Sequence, residues 1–305
     1  MKELRLEHVL GNTYCIMGWQ CIPIYMLDDE RFVMLDTGTY YIRQQLEELF
    51  DREGIRPAGI MNTHTHFDHL GNTNYLKDKY HIPVAMSIGE AETCRTLPAV
   101  KSYLFAYPAG QVMNDPKLAT LPTRADILIE DNQDYQLLCG VRFGILHTPG
   151  HSPDHISVVT PDNVCYVGDA LMSGKSLVNS KLPYAFNFAQ SLESIELFMD
   201  THFEKLIMSH NSIIDAPYDN LVQNNLALMN QRLDYLCSLI TEPMSGGHIC
   251  ALVKKEMDIV TDTTEKAQNL ERFVRPYLEC LIDEGRISLI LYKDSLCYAP
   301  AGFDE

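Results

Sequence analysis

No C-x-x-C pair occurs among the nine cysteines of this chain, and their number is odd. That argues against a disulfide framework and against a thiolate-held metal finger. Several of the thiols sit in apolar runs such as Asn163-Val164-Cys165-Tyr166-Val167 and read as reduced and buried, the pattern of a cytoplasmic protein. Long apolar runs are missing too: no stretch of eighteen occurs, so no membrane-spanning helix is expected. The first residues, Met1-Lys2-Glu3-Leu4-Arg5-Leu6-Glu7, lack the apolar centre of a signal peptide. Positive charge is scarce, 24 Lys and Arg against 41 Asp and Glu, a net charge of -17. A surface that acidic repels phosphate backbones, and no local basic patch offsets it, so nucleic acid is a disfavoured partner. The single tryptophan, Trp19, reads as a packing residue between two early strands.

What remains is an ordinary globular composition, 46% hydrophobic and 21% charged, over 305 residues. That length suits one large domain with an appendage, or two domains. The pattern predicts strands over 13–17, 22–27 and 31–35, the last running into the turn Asp36-Thr37-Gly38. Ile42, Leu46, Leu49 and Phe50 recur at helical spacing ahead of Gly54. A strand over 59–62 empties into His64-Thr65-His66-Phe67-Asp68-His69, helical periodicity resumes over 70–80, and a strand follows at 83–86. Residues 90–123, with four prolines and several aromatics, suit either a lid or a helical pair that only packs the surface. Strands are expected at 126–129, 135–138, 141–146, 156–159, 164–167 and 205–208, with a helix over 191–201. Near residue 216 the pattern changes to helices over 220–240, 248–257 and 264–284 and a hairpin over 287–298, a winged-helix-like outline. The division is therefore 1–215 and 216–305.

Four potential metal ligands occupy six residues in the His64–His69 run, directly after an apolar strand. Ligands in open α/β sheets gather beyond the carboxyl ends of strands. The alternation of His64 and His66 points both imidazoles to one side. His151, Asp169 and His210 also follow β runs, two of them directly after a glycine that permits a sharp turn. Imidazole and carboxylate without thiolate suit Zn, Fe or Mn, which the order of affinities does not separate; Zn is the expected metal, with Fe or Mn as alternatives.

On these motifs the chain resembles the metallo-β-lactamase superfamily over roughly residues 1–215. The matching segments are Leu35-Asp36-Thr37-Gly38, His64 through His69, Pro149-Gly150-His151, Gly168-Asp169 and Ser209-His210. The resemblance implies an α/β fold, a four-layer αββα sandwich, here with a small C-terminal helical or winged-helix-like domain. It implies two divalent metal ions. His64, His66 and His151 would hold the first, Asp68, His69 and His210 the second, and Asp169 would bridge them. Asp68, Asp169 and His210 are then the catalytic members of the set. Asp36 would orient a ligand from behind, and His155 is either a similar support or a satisfied core histidine. In the loop after Asp169, Lys181 and Tyr184 are candidates for substrate contact, as is Phe186. C-terminal extensions of this kind occur in a branch of the superfamily related to β-lactamase-like protein 2.

The implied chemistry is hydrolysis of a small ester or thioester by a hydroxide bridging two ions, as in the hydroxyacylglutathione hydrolase group. A ribonuclease or phosphodiesterase, a mononuclear iron persulfide dioxygenase and a non-enzymatic metal-bearing interaction module are the alternatives. A small molecule is the expected partner, with homo-oligomer formation assigned to the C-terminal region. The best recognition-helix candidate there, 264–284, sets Lys266, Arg272 and Arg275 against five acidic residues and would not attract phosphate.

Overall fold

The computed structural model describes residues 3–210 and 212–303. Fifteen strands and eleven helices are assigned among them. The first sheet takes its strands in chain order: β1 (Arg5–Leu10), β2 (Thr13–Met17), β3 (Cys21–Met26), β4 (Arg31–Leu35), β5 (Arg56–Met61), β6 (Val84–Ser87) and β7 (Ile127–Ile129). β1 to β4 form an antiparallel meander; β4 to β7 are parallel, because helices α1 (Arg43–Glu53), α2 (Phe67–Leu70), α3 (Thr73–Tyr80) and those of the insertion below make the crossovers. The insertion, residues 90–123, folds mostly as short helices: α4 (Ile88–Cys94), α5 (Leu97–Tyr103) and α6 (Ala109–Asn114), with a 3₁₀ turn at Leu118–Thr120. Its prolines explain the fragmentation, since each ends or starts a helix rather than crossing one.

The second sheet orders β8 (Tyr135–Leu138), β9 (Val141–His147), β10 (Ile156–Val159), β11 (Val164–Tyr166), β12 (Lys205–Met208) and β13 (Ser212–Asp215) in sequence across its width. Only β11 and β12 pair in parallel. Their crossover carries α7 (Gly174–Asn179) and α8 (Phe188–Leu197). The sequence pattern did not mark β1, α7 or β13. β1 and β13 are the edge strands of their sheets, and their burial patterns show at most one buried residue each, so hydrophobic alternation is faint.

Three apolar clusters define the layers. Between the sheets lie Val33, Leu35, Met61 and Ala85 from one face and Phe143, Ile145, Val158, Tyr166 and Ile207 from the other. Outside the first sheet, Leu46, Leu49, Phe50 and Leu76 of its helices pack on Ile24, Phe32 and Ile60. Outside the second, Phe188 and Ile195 are joined by α9 (Asp219–Leu239), α10 (Gly246–Glu256) and α11 (Thr264–Asp283) in one continuous cluster. The architecture is thus the expected αββα sandwich, with part of the outer helical layer supplied by residues beyond 215. A two-stranded hairpin, β14 (Ile287–Tyr292) and β15 (Ser295–Pro300), closes that segment. None of the nine cysteines is in a disulfide, and no helix of the described residues is long and apolar enough to cross a membrane.

Candidate metal centre

One end of the sandwich gathers the ligand-type side chains, because β5, β9, β11 and β12 all deliver their carboxyl ends there. His64 Nε2 and His151 Nε2 each lie 3.0 Å from His66 Nδ1. Asp169 Oδ2 lies 3.5 Å from both His151 Nε2 and His69 Nε2, and Asp169 Oδ1 lies 3.7 Å from His210 Nε2. Asp68 Oδ2 stands 3.8 Å from His69 Nε2 and 4.0 Å from His210 Nε2. The seven groups separate into a three-imidazole set and an Asp68–His69–His210 set, with Asp169 reaching both.

Hydrogen bonds from behind fix which nitrogen of each ring points inward. Asp36 is buried at a left-handed turn (φ 60°), where its carboxylate accepts from Thr63 N (2.8 Å), Thr63 Oγ1 (2.7 Å), Tyr166 OH (2.8 Å) and His69 Nδ1 (2.7 Å). That last bond leaves His69 Nε2 with its lone pair facing the site, buried and without a hydrogen-bond partner. Thr63 Oγ1, having donated to Asp36, accepts from His64 Nδ1 at 3.0 Å, so His64 Nε2 is also a lone pair. His66 is turned the other way: its Nε2 meets Tyr103 OH at 2.8 Å and its Nδ1 faces the cluster. Burial, followed by the neighbouring imidazoles, holds His64 well below its usual pKa, and burial brings His151 down to about 4. Burial would raise Asp169, but the adjoining imidazoles, His69 foremost and then His210, outweigh it and hold the carboxyl well below its usual range. Burial would lower His69, but the carboxylates of Asp169, Asp36 and Asp68 outweigh it and hold the ring well above its usual pKa. A cation among these converging nitrogens and carboxylates would take the place of such protons. The donor set fits divalent metal ions with nitrogen and oxygen ligands, on this chemistry and on the orphaned His69 nitrogen.

Two glycines shape the ligand loops. A Cβ on Gly168 (φ 54°) would lie 2.4 Å from His155 Nε2, and one on Gly150 (φ 121°) would lie 2.2 Å from Ser191 N. His155 is fully buried; its Nδ1 faces Thr148 Oγ1 at 2.8 Å, and its Nε2 accepts from Asp169 N at 3.1 Å, so it holds the Asp169 backbone in place. Sequence reasoning missed Glu90, also fully buried. It accepts from Thr65 N and Oγ1 in one ligand loop and from Ser152 Oγ and Asp154 N in another, tying His64–His66 to His151. Gln20 was missed as well; its Nε2 donates to Asp68 Oδ2 at 3.1 Å.

Two expectations need correcting. Trp19 is not packed between strands: at the β2–β3 turn it is 61% exposed, its ring centroid 5.5 Å from that of His210 in an edge-on contact. Lys181 does not reach the cleft; its ammonium hydrogen-bonds the Asp258 carbonyl and carboxylate, because the loop turns that side chain toward the C-terminal helices. Tyr184 does reach it, its ring 5.3 Å from that of His151 and 5.6 Å from that of His66. Phe186 is half-exposed and packs at 5.9 Å on Tyr103.

The profile of the metallo-beta-lactamase superfamily matches residues 20–210, a span that contains all seven of these groups. The chain belongs to that superfamily. It is 24% identical over 257 residues to a beta-lactamase-like protein 2 homolog of Drosophila melanogaster, covering 81% of this chain and 79% of that protein. It is 29% identical over 147 residues to a hydroxyacylglutathione hydrolase of Chromohalobacter salexigens, covering 48% of this chain and 44% of that one. A solved metallo-beta-lactamase family protein from Thermus thermophilus superposes with a TM-score of 0.72 at 18% identity, covering 98% of both chains, a likeness of fold.

Proposed function

We propose that this superfamily member is a binuclear hydrolase of small acyl esters or thioesters. The observation that carries it is the cluster of five imidazoles and two carboxylates whose ligand atoms face one another, with Asp169 shared between its halves. His64, His66 and His151 would hold one ion, Asp68, His69 and His210 the other. When bound, such ions supply Lewis acidity and bring the pKa of water toward about 7, which gives a nucleophile at neutral pH without serine or cysteine. The chain's own part is to orient the rings through Asp36, Thr63 and Tyr103, and to shape the cleft. Between the ligands and α11 that cleft is lined by Tyr103, Tyr184, Asn269, Arg272 and Phe273, room for a small substrate rather than a polymer. Likeness to a hydroxyacylglutathione hydrolase supports a thioester, and the net charge of -17 weighs against a nucleic acid.

Two measurements on one preparation test this: elemental analysis of protein purified without added metal, and turnover of S-lactoylglutathione with a panel of acyl thioesters and esters. About two ions per chain with chelator-sensitive turnover is the expected result. One iron per chain with oxygen consumption, or two ions and no acyl turnover, would end the proposal.

A further inference from the structure

Tyr184 lies in the loop between α7 and α8, and that loop is pinned on both sides. Phe186 N and Asn187 N donate to Gly150 O at 2.7 and 3.0 Å, next to the ligand His151. Tyr277 OH of α11 donates to Pro183 O at 2.8 Å, and the Phe273 ring packs on Tyr184 at 5.0 Å. The tyrosine is therefore held against the metal centre by the segment beyond residue 215.

Its hydroxyl ends a polar chain whose proton directions can be counted. His66 must keep Nδ1 free to serve as a ligand, so Nε2–H donates to Tyr103 OH at 2.8 Å. Tyr103, having accepted there, has its own proton for Tyr184 OH at 3.4 Å. Arg272 of α11 has no acceptor capacity, so its Nη2 donates to the same Tyr184 oxygen at 3.1 Å. Tyr184 thus receives two donors and has one proton left. Among the described residues Arg272 makes no ion pair with a carboxylate; the rings of Tyr103, Tyr107 and Tyr184 surround it, with its guanidinium carbon 5.5 Å from the Tyr184 centroid. A cation donating to a phenol oxygen makes that phenol a stronger donor in turn.

From this we infer that Tyr184 is a catalytic residue: its O–H donates to the acyl oxygen of the substrate, with Arg272 as the positioning residue that holds and polarises it. The inference rests on the acyl-hydrolase reading above and deepens it, giving the C-terminal segment a part in the reaction. The oxygen of water adds to the acyl carbon, and the C=O π pair moves onto the carbonyl oxygen, where the Tyr184 proton meets the growing charge. The pair then returns as the C–S or C–O bond breaks, and the leaving group departs with the bond's electrons and takes up a proton released by the water.

The test uses the full-length, metal-loaded protein and two variants, Tyr184→Phe and Arg272→Met. Tyr184→Phe is expected to lower kcat about a hundredfold, the cost of one lost oxyanion donor, with KM little changed and two metals still bound. Arg272→Met should act in the same direction but less, and the double variant should be no slower than Tyr184→Phe alone. A readout independent of turnover is calorimetric binding of an alkyl phosphonate monoester, a tetrahedral anion, which Tyr184→Phe should weaken at least about tenfold. Unchanged kcat and phosphonate affinity in Tyr184→Phe would overturn the inference, as would metal loss in step with activity. Phosphonate binding that depends on Tyr184 in a protein inert to every ester and thioester would leave the donor role standing and remove the acyl substrate. A wild-type protein that ignores the phosphonate would overturn the donor role itself.

Discussion

Asp36 meets its donors in the interior: one backbone N–H, two hydroxyls and the His69 ring converge on its two oxygens. Replacement by alanine would orphan all of them in a place water does not reach. The expected loss is about 3–5 kcal/mol of stability, the range for removing one partner of a buried pair, read as a lower midpoint in chemical unfolding. Asp36→Asn keeps the volume but turns an amide N–H₂ toward donors. It should remain folded and lose about 10- to 100-fold in metal affinity, measured by competition with a chelator, because His69 is no longer held in one tautomer. Wild-type affinity in the asparagine variant would show that something other than Asp36 orients the ring. Asp36 was legible beforehand only through the resemblance, because Leu35-Asp36-Thr37-Gly38 matches a motif of the superfamily. Thr63 and Tyr166 were not, since only the pairing of the strands and the stacking of the two sheets bring them to it. Glu90 reads in sequence as an ordinary acid in the first turn of a short helix; its burial is a product of the fold.

Strand ends made the ligand set readable. A short apolar run followed within a few residues by a histidine or aspartate says both where the strand ends and that a polar group waits there. The insertion offered no such signal. Its prolines break the helical period into pieces too short to assign, so the sequence could not tell a lid from surface packing. Folded, α5 carries Tyr103 to within 2.8 Å of His66 Nε2, which gives this element a task at the metal centre. Tyr103→Phe removes the acceptor for His66 and leaves the ring in place. It should cost metal affinity about tenfold, the low end for a partner behind a ligand, with little change in the unfolding midpoint. Chelator competition reads the first and calorimetry the second. If the phenylalanine variant holds metal as tightly as the parent, α5 serves packing alone.

The boundary near residue 215 was visible as a change from strands to helices, but not what the new helices cover. An amphipathic stripe declares that it will be buried and is silent about its partner. In the fold, Val222, Met229, Leu233 and Tyr277 close the same cluster as Leu171, Leu182, Phe188, Ile195, Phe198 and Met208. The last six would be at least partly uncovered if residues 216–305 were removed. Full exposure of such a side chain costs about 1.5–3 kcal/mol, so even partial exposure of six rivals the roughly 5–15 kcal/mol that holds a typical domain together. The expected outcome is that a chain ending at 215 is aggregated or lacks a cooperative transition, while the full-length protein unfolds in a single one. Differential scanning calorimetry of both settles the matter. A truncated chain that is monomeric and melts cooperatively within a few degrees of the parent would mean that the two segments fold independently and only touch.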